Sequence, residues 1–258
     1  MRVAHGLDEL RPADHPAFVV VGVFDGLHLG HAYLLEHLVA EADRRGARPV
    51  VVTFDHHPDE IITGTAPALL CDPRERLGLI EAAGVGTTVV VHFDQALRET
   101  TYDAFADGLA AHGPLAGFLM TPDAAFGFGR AGTPGALAAL GRDRGFEVVV
   151  VPPFELDGHV VRSSEVRTAI ASGDLALAAR LLGRPHTVIG VAEPAADGTA
   201  PTLAFELPVM LPPDGPWPAV MDDGRGAVET IVTVTDGRLR VPGAGPGTTT
   251  RVRFGQSS

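Results

Sequence analysis

Five apolar runs, at 17–24, 47–54, 87–93, 116–121 and 146–152, alternate with helical patterns at 30–45, 73–83, 101–112 and 134–143. A chain with that rhythm has few folds open to it. Strand, helix, strand at about thirty residues a repeat is the βαβ unit, which requires a parallel sheet with helices on both faces. Right-handed crossovers then place the loops that follow the strands along one edge, where open parallel sheets take their ligands. Polar residues at the strand C-termini are therefore the first place to look for chemistry.

The first run holds the densest set. Phe18-Val19-Val20-Val21 suits a central strand covered on both faces, because four apolar residues in a row leave no solvent side. After His31, the residues Leu34, Leu35, Leu38 and Val39 recur at helical spacing, so a helix is expected from about Leu29. His28 and His31, three apart at that helix mouth, point the same way. Gly22, Gly26 and Gly30 let backbone and ligand approach closely. A helix start with unpaired N–H groups, two imidazoles and three glycines is chemistry for holding phosphates. One histidine alone would read as a surface residue beside a cap. The whole string from Gly22 to His31 reads as a phosphate site.

Later strand ends add candidates. The second run leads into Thr53-Phe54-Asp55-His56-His57-Pro58. His57 could meet a ligand there, and a turn closed by Pro58 explains it equally. His56 and His57 are adjacent, point apart and make a poor chelating pair. Beyond the fourth run, Gly127-x-Gly129-x-x-Gly132 matches the dinucleotide-binding fingerprint, and Glu147 lies twenty residues on. Context rejects that match, because the fingerprint's first glycine belongs at a strand end and its acid at the far end of the next strand. Here five residues separate the 116–121 run from Gly127, and Glu147 opens its strand. After the fifth run, Arg162-Ser163-Ser164-Glu165-Val166-Arg167 starts a helix with Val166, Ala169 and Ile170 inward, and Ser163 or Ser164 is the expected cap. Taken alone the serines need no more than that. Two hydroxyls at a helix start with an arginine one turn on also make an anion site.

Together these strings resemble the nucleotidylyltransferase superfamily and, within it, the prokaryotic FAD synthetase family of bifunctional riboflavin kinases and FMN adenylyltransferases. The superfamily's His-x-Gly-His falls on His28 to His31. The family's Thr-Phe-x-Pro-His-Pro falls on 53–58, with His56 in place of the first proline. Its Gly-x-Asp-Phe-x-Phe-Gly-x-Gly-Arg-x-Gly falls on 121–132; Asp123, Phe126, Gly127, Gly129, Arg130 and Gly132 match, whereas Thr121 and Ala124 depart. Its Ser-Ser-Thr-x-x-Arg falls on 162–167, with Arg162 at the first serine, Ser163 matching, Ser164 for threonine and Arg167 matching.

The resemblance implies an α/β protein with a Rossmann-like parallel-sheet nucleotidylyltransferase domain over 1–185, acting on ATP and FMN. It implies catalytic roles for His28, His31 and Arg167. It implies nucleotide contacts from Gly22, Phe24, Asp25, Gly26, Gly30, Arg162, Ser163 and Ser164. Flavin contacts would come from His57, Asp123, Phe126, Gly127 and Arg130. No protein ligand set for a metal is expected, since Mg²⁺ arrives with the ATP phosphates.

From His186 the composition shifts to Gly- and Pro-rich turns between short β runs at 187–192, 203–210, 228–234 and 251–254, which suggests a small antiparallel, barrel-like domain over 186–258. The family's second module phosphorylates riboflavin with a Pro-Thr-Ala-Asn segment and a late glutamate. Pro201-Thr202-Leu203-Ala204 does not keep that segment, and Thr248 to Phe254 offers no glutamate. Riboflavin kinase activity is therefore expected to be absent. A net charge of −12 argues against nucleic acid and anionic membranes as partners, while leaving small phosphorylated substrates open. Every basic residue is arginine, which excludes a P-loop lysine, and the single cysteine, Cys71, excludes an internal disulfide. With no signal-like start and no spanning apolar run, a cytoplasmic chain is expected. A homo-oligomer is compatible with all of this. Two other readings stay open at this point: a relative acting on a different phosphorylated acceptor, and a non-catalytic flavin- or nucleotide-binding protein.

Overall fold

Each of the five apolar runs forms a strand, and each helical pattern between them forms a helix. The computed structural model describes residues 1–10, 15–195 and 200–255. They group into two units, one of Met1–Phe24, Gly30–Pro67 and Leu77–Glu155, the other of Asp25–Leu29, Ala68–Arg76 and Leu156–Ser258.

The first unit is the parallel sheet with its helices. In chain order the elements are β1 (Arg2–His5), β2 (Ala17–Val21), α1 (Leu29–Arg44), β3 (Arg48–Phe54), α2 (Asp59–Thr63), α3 (Pro73–Ala82), β4 (Thr87–Val91), α4 (Gln95–Glu99), α5 (Tyr102–Ala110), β5 (Leu115–Met120), α6 (Pro134–Arg144) and β6 (Glu147–Val150). Local chemistry sets the ends. Thr133 Oγ1 accepts the Ala136 N–H at 3.3 Å ahead of Pro134, and Gly145 closes α6 at φ +79°. The strands pair in the order β1-β4-β3-β2-β5-β6, all parallel. From β2 the chain winds one way to β3 and β4, then returns to the other side for β5 and β6. The reversal lies between β2 and β5, and sheets of this kind open a ligand crevice at that point. Val19, Val50, Val52, Val89, Phe118 and Met120 are buried in the core of this unit.

A small hairpin of β7 (Glu155–Leu156) and β8 (His159–Val160) follows. The second unit then contains α7 (Ser163–Ala171), α8 (Leu175–Leu182), β9 (Thr187–Glu193), β10 (Thr202–Ala204), β11 (Gly215–Asp222), β12 (Ala227–Thr235), β13 (Arg238–Arg240) and β14 (Thr249–Phe254). Its strands close into an antiparallel barrel in the order β10-β13-β12-β11-β14-β9. The alternation in β14 puts Thr250, Val252 and Phe254 inside, with Val188, Val232, Val234 and Leu239 from the other strands. The segment before α3 also belongs here: Leu69 donates to Pro208 O and accepts from Met210 N–H, both at 2.8 Å.

Several local readings differ from the structure, first among them the sixth strand of the sheet, β1, which none of the five apolar runs covers. β11 was not foreseen, because Pro216 and Pro218 argue against a strand interior. Strand pairing with β14 begins at Ala219, and the Pro218 carbonyl accepts the Gly255 N–H at 2.8 Å, so Pro218 faces away from β12 and its missing N–H costs that ladder no donor. The 203–210 run yields a strand only to Ala204, and β13 was also missed. Neither Ser163 nor Ser164 caps α7. The cap position is Arg162, and Ser163 is the first helical residue, its hydroxyl drawn away to a buried carbonyl described below. No helix among the described residues is long and apolar enough to cross a membrane.

Candidate active site

In the first unit, β2 runs out at Val21 into a turn held from β3. Gly22 N–H donates to Val52 O at 3.0 Å, and Thr53 Oγ1 donates to Val23 O at 3.0 Å. Phe24 then adopts a left-handed backbone, φ +54°, which is uncommon for a side chain of that size. Its ring is fully buried and folds back over Gly22, where an added Cβ would stand 3.0 Å from it. The same ring packs 5.1 Å from His31, tilted by 57°. Gly22 and Phe24 thus form a wedge that sets the His31 ring. Gly30 is the second residue of α1 and allows close approach beside His31.

The second unit holds the other half of the string. Asp25, Gly26 and Leu27 make one tight turn, with Gly26 at φ +75° and Leu27 at φ +37°. The Asp25 carboxylate is 3% exposed. It accepts the Leu70 N–H at 2.9 Å and pairs with Arg167 at 2.5 Å. Arg167 also donates from Nε to Ala68 O at 3.0 Å, and Ser163 Oγ donates to Asp25 O at 3.2 Å. A guanidinium carries five donors, so two such bonds orient Arg167 and leave capacity for an anion. Arg184 closes the turn from the other side, donating to Gly26 O at 2.7 Å and Leu27 O at 3.2 Å. His28 is buried next to this group. Burial, with the positive charges of Arg184 and then Arg167, lowers its pKa to about 4. At neutral pH it is an uncharged imidazole, and the arginines supply the positive charge. Ser164 and Arg162 are exposed at the start of α7. Cys71 has no nucleophilic role here, since burial and then the Asp25 charge push its thiol up to about 12.

The 121–132 loop follows β5, the strand across the reversal from β2. A hydrogen-bonded pair, Phe126 N–H to Gly132 O and Gly132 N–H to Phe126 O, pinches it closed. Phe128 N–H donates to Thr100 O at 2.8 Å. Gly127, at φ +77°, lies so close to Tyr102 that a Cβ would stand 2.5 Å from its backbone nitrogen. The glycine spacing that imitates a dinucleotide fingerprint therefore serves to seat the loop on Tyr102. Phe126 turns into the core, 5.4 Å from Phe105 and 5.6 Å from Phe118. The outward side chains are Asp123, which accepts from Thr121 Oγ1 at 2.8 Å, Arg130, which donates to Asp123 O at 3.2 Å, and Phe128, 56% exposed. At the end of β3, His57 Nδ1 accepts the Asp59 N–H at 3.2 Å as α2 begins.

Asp25, His28, Ser163 and Arg167, named from the sequence, are brought together within the second unit. Phe24 and His31 are brought together within the first. Sequence reasoning missed Arg184, which belongs to none of the strings singled out. It missed the 68–70 segment as well, whose contribution is a backbone carbonyl and a backbone N–H that no motif records.

The family model for FAD synthetase matches residues 10–165, more than half of the chain. The "Bifunctional riboflavin kinase/FMN adenylyltransferase" of Pseudomonas fluorescens is 36% identical over 192 residues, covering 74% of this chain and 61% of that protein. The protein of the same description from Escherichia coli (strain K12) is 34% identical over 193 residues, covering 74% and 62%. The chain thus spans about three fifths of the length of these relatives. The crystal structure titled macrolide-efflux protein from Streptococcus pneumoniae superposes with a TM-score of 0.81 at 22% identity, over 98% of this chain and 88% of that one, and shares the fold. With the family model spanning the strings at 22–31, 53–58 and 121–132, this chain belongs to the FAD synthetase family.

Proposed function

We propose that this chain is an FMN adenylyltransferase without riboflavin kinase activity. A phosphate oxygen of FMN attacks the α-phosphorus of Mg·ATP, the bond from that phosphorus to the α,β-bridging oxygen breaks, and pyrophosphate leaves as FAD forms. The nucleophile is already an anionic oxygen, so no covalent enzyme intermediate is needed. What the protein supplies is position and charge. Fixing two reactants is worth roughly 7–11 kcal/mol of barrier, whereas a helix N-terminus supplies about 0.3–2, so orientation dominates.

The observation that carries this reading is Arg167, held in place by the buried Asp25 carboxylate and Ala68 O beside a buried, uncharged His28. In the proposed roles, His28 and His31 donate N–H groups to α- and β-phosphate oxygens. Arg167 takes charge building on the leaving pyrophosphate, with Arg162, Ser163 and Ser164 at the same helix start. Gly22, Phe24, Asp25, Gly26 and Gly30 shape the turn. His57, Asp123 and Arg130 serve the flavin side, on a loop that Phe126 and Gly127 seat. The absent kinase activity rests on the altered segment at Pro201-Thr202-Leu203-Ala204. An acidic chain with a local arginine cluster suits small phosphorylated substrates better than nucleic acid, and an ATP-consuming reaction suits the cytoplasmic location expected from the sequence.

The test is the purified chain with Mg·ATP and either FMN or riboflavin, products resolved by chromatography. FAD and pyrophosphate are expected from FMN, and no product from riboflavin. His31→Ala should abolish turnover and keep the far-UV dichroism of the parent. Inactivity toward FMN together with pyrophosphate release from another phosphorylated metabolite would replace the acceptor, a reading that Ala124 and Arg162 favour. Nucleotide binding without any turnover would replace the enzyme by a binding protein.

A further inference from the structure

The edge of the sheet that carries the β3 turn contains a constellation that the adenylyl-transfer reading does not use. β3 and β4 are neighbouring parallel strands with Phe54 opposite Val91, so the residues after them leave the sheet side by side. Asp55 N–H donates to Val91 O at 3.2 Å, which continues the ladder by one residue and sets Asp55 against His92. Asp55 Oδ2 lies 2.6 Å from His92 Nδ1, and Asp55 Oδ1 lies 3.3 Å from His56 Nδ1. The two imidazole rings meet edge to face at 5.9 Å. One ligand atom from each of the three side chains falls within 4.8 Å of the others.

We propose that Asp55, His56 and His92 form a binding site for one divalent first-row transition cation of the Zn²⁺ class. Two imidazoles with one carboxylate are a donor set for Zn²⁺, Co²⁺, Ni²⁺ or Cu²⁺, whereas Mg²⁺ takes oxygen donors and keeps most of its water. The site is thus chemically separate from the magnesium that accompanies ATP. Donors about 2.0–2.1 Å from a tetrahedral metal stand roughly 3.3 Å apart, so the widest separation here must close by at most about 1.5 Å. His92 is exposed and His56 and Asp55 are half-exposed, so that movement is a rotamer adjustment of side chains on a fixed backbone. The carboxylate is already oriented by groups that do not bind metal: Asp55 Oδ1 accepts the backbone N–H of His56 at 2.7 Å and of Phe93 at 3.2 Å.

The geometry carries the site: the carboxylate lies between the two rings, with one oxygen toward each Nδ1. Metal binding would exchange the His92–Asp55 hydrogen bond for coordination by Nδ1 and the carboxylate: a neutral ring would move its proton from Nδ1 to Nε2 through solvent, and a protonated ring would release its Nδ1 proton to solvent and keep the one on Nε2. Three protein donors leave a fourth position for water. His56 stands where the family pattern has proline, so this pairing belongs to a departure of this chain from its family.

The test is binding, independent of any adenylyl transfer. The purified full chain is titrated with Zn²⁺ by calorimetry and with Co²⁺ by visible absorption, with Mg²⁺ as a control. One equivalent of Zn²⁺ is expected, displacing Co²⁺ and its ligand-field bands, with no competition from Mg²⁺. His92→Ala and His56→Ala should each weaken binding at least about tenfold, the loss that removing even an outer-layer partner causes. His92→Gln serves if the alanine variant fails to fold. The chain has eleven histidines, so His159→Ala, an exposed histidine elsewhere, must leave the isotherm unchanged. No binding by the parent, or equal binding by the His56 and His92 variants, would overturn the proposal.

Discussion

Removing the Asp25 carboxylate tests the structural basis of the site most directly. Asp25 is 3% exposed, and the Arg167 side chain paired with it is 19% exposed. In Asp25→Ala the guanidinium keeps its bond to Ala68 O but loses its counter-charge, and the Leu70 N–H loses its acceptor. Breaking a buried pair from one side costs about 3–5 kcal/mol, because the remaining charge stays desolvated. At a few degrees per kcal/mol for a unit of this size, the melting temperature should fall by about 10–20 °C. Asp25→Asn retains an oxygen for Leu70 and loses only the charged hydrogen bond, so its loss should be nearer 1.5–3 kcal/mol, an order-of-magnitude figure. The assay is thermal unfolding at pH 7, with urea unfolding for the free energies, both followed through Trp217, the only tryptophan of the chain. It lies in β11 of the same unit and donates its indole N–H to Pro213 O at 2.9 Å. Arg167→Met combined with Asp25→Asn removes both charges, and its cost should be well below the sum of the single changes. A melting temperature for Asp25→Ala within about 2 °C of the parent, or strict additivity in the double variant, would refute the reasoning.

Two further outcomes follow from the same unit. His28 and His186 are both buried and both lowered to about 4, His28 by burial, Arg184 and Arg167, His186 by burial and Arg184 against a hydrogen bond to Met210 O. The unfolded chain therefore binds more protons than the folded one between pH 6.5 and about 4. The stabilisation is complete above pH 6.5 and is lost as the pH falls through that window, by about 2 kcal/mol per histidine at pH 5. Urea melts at pH 7 and pH 5 should show the loss, and His28→Gln with His186→Gln should largely abolish it; an unchanged pH dependence would remove these histidines as its cause. Gly26→Ala places a Cβ 2.7 Å from the buried Leu70 Cβ at φ +75°, so a loss of about 2–4 kcal/mol is expected from combined strain and overpacking. Gly46→Ala, at φ +59° with nothing within 4 Å, should lose only about 1–2 kcal/mol on the same melts.

Five of the six strands of the sheet and its longer helices were legible from local pattern, because each is specified by its own residues; β1, four residues with only Ala4 buried, was not. The valine runs at 19–21 and 50–52 need no partner to read as buried strands, and the leucines after His31 need none to read as a helix face. The barrel was legible as a class and less so strand by strand: in β11 the prolines are tolerated because the ladder with β14 begins only at Ala219, and no local rule contains that fact. Among the site residues, the string around His28 and His31 announced itself through its spacing. The role of Asp25 did not, since its partners Leu70 and Arg167 stand 45 and 142 residues away.

What the chain by itself determined is therefore five of the six sheet strands and the longer helices between them, the parallel class of the sheet, and the residue types offered at its ligand edge. Tertiary structure alone decided that Phe126 turns inward while Asp123 and Arg130 stay outside, that Arg184 braces the turn before α1, and that His92 arrives beside Asp55. The physical reason is range. Periodicity and turn chemistry act over a few neighbouring residues, whereas a buried charge finds its counter-charge, and one strand end meets the next, only after the sheet and the barrel have closed.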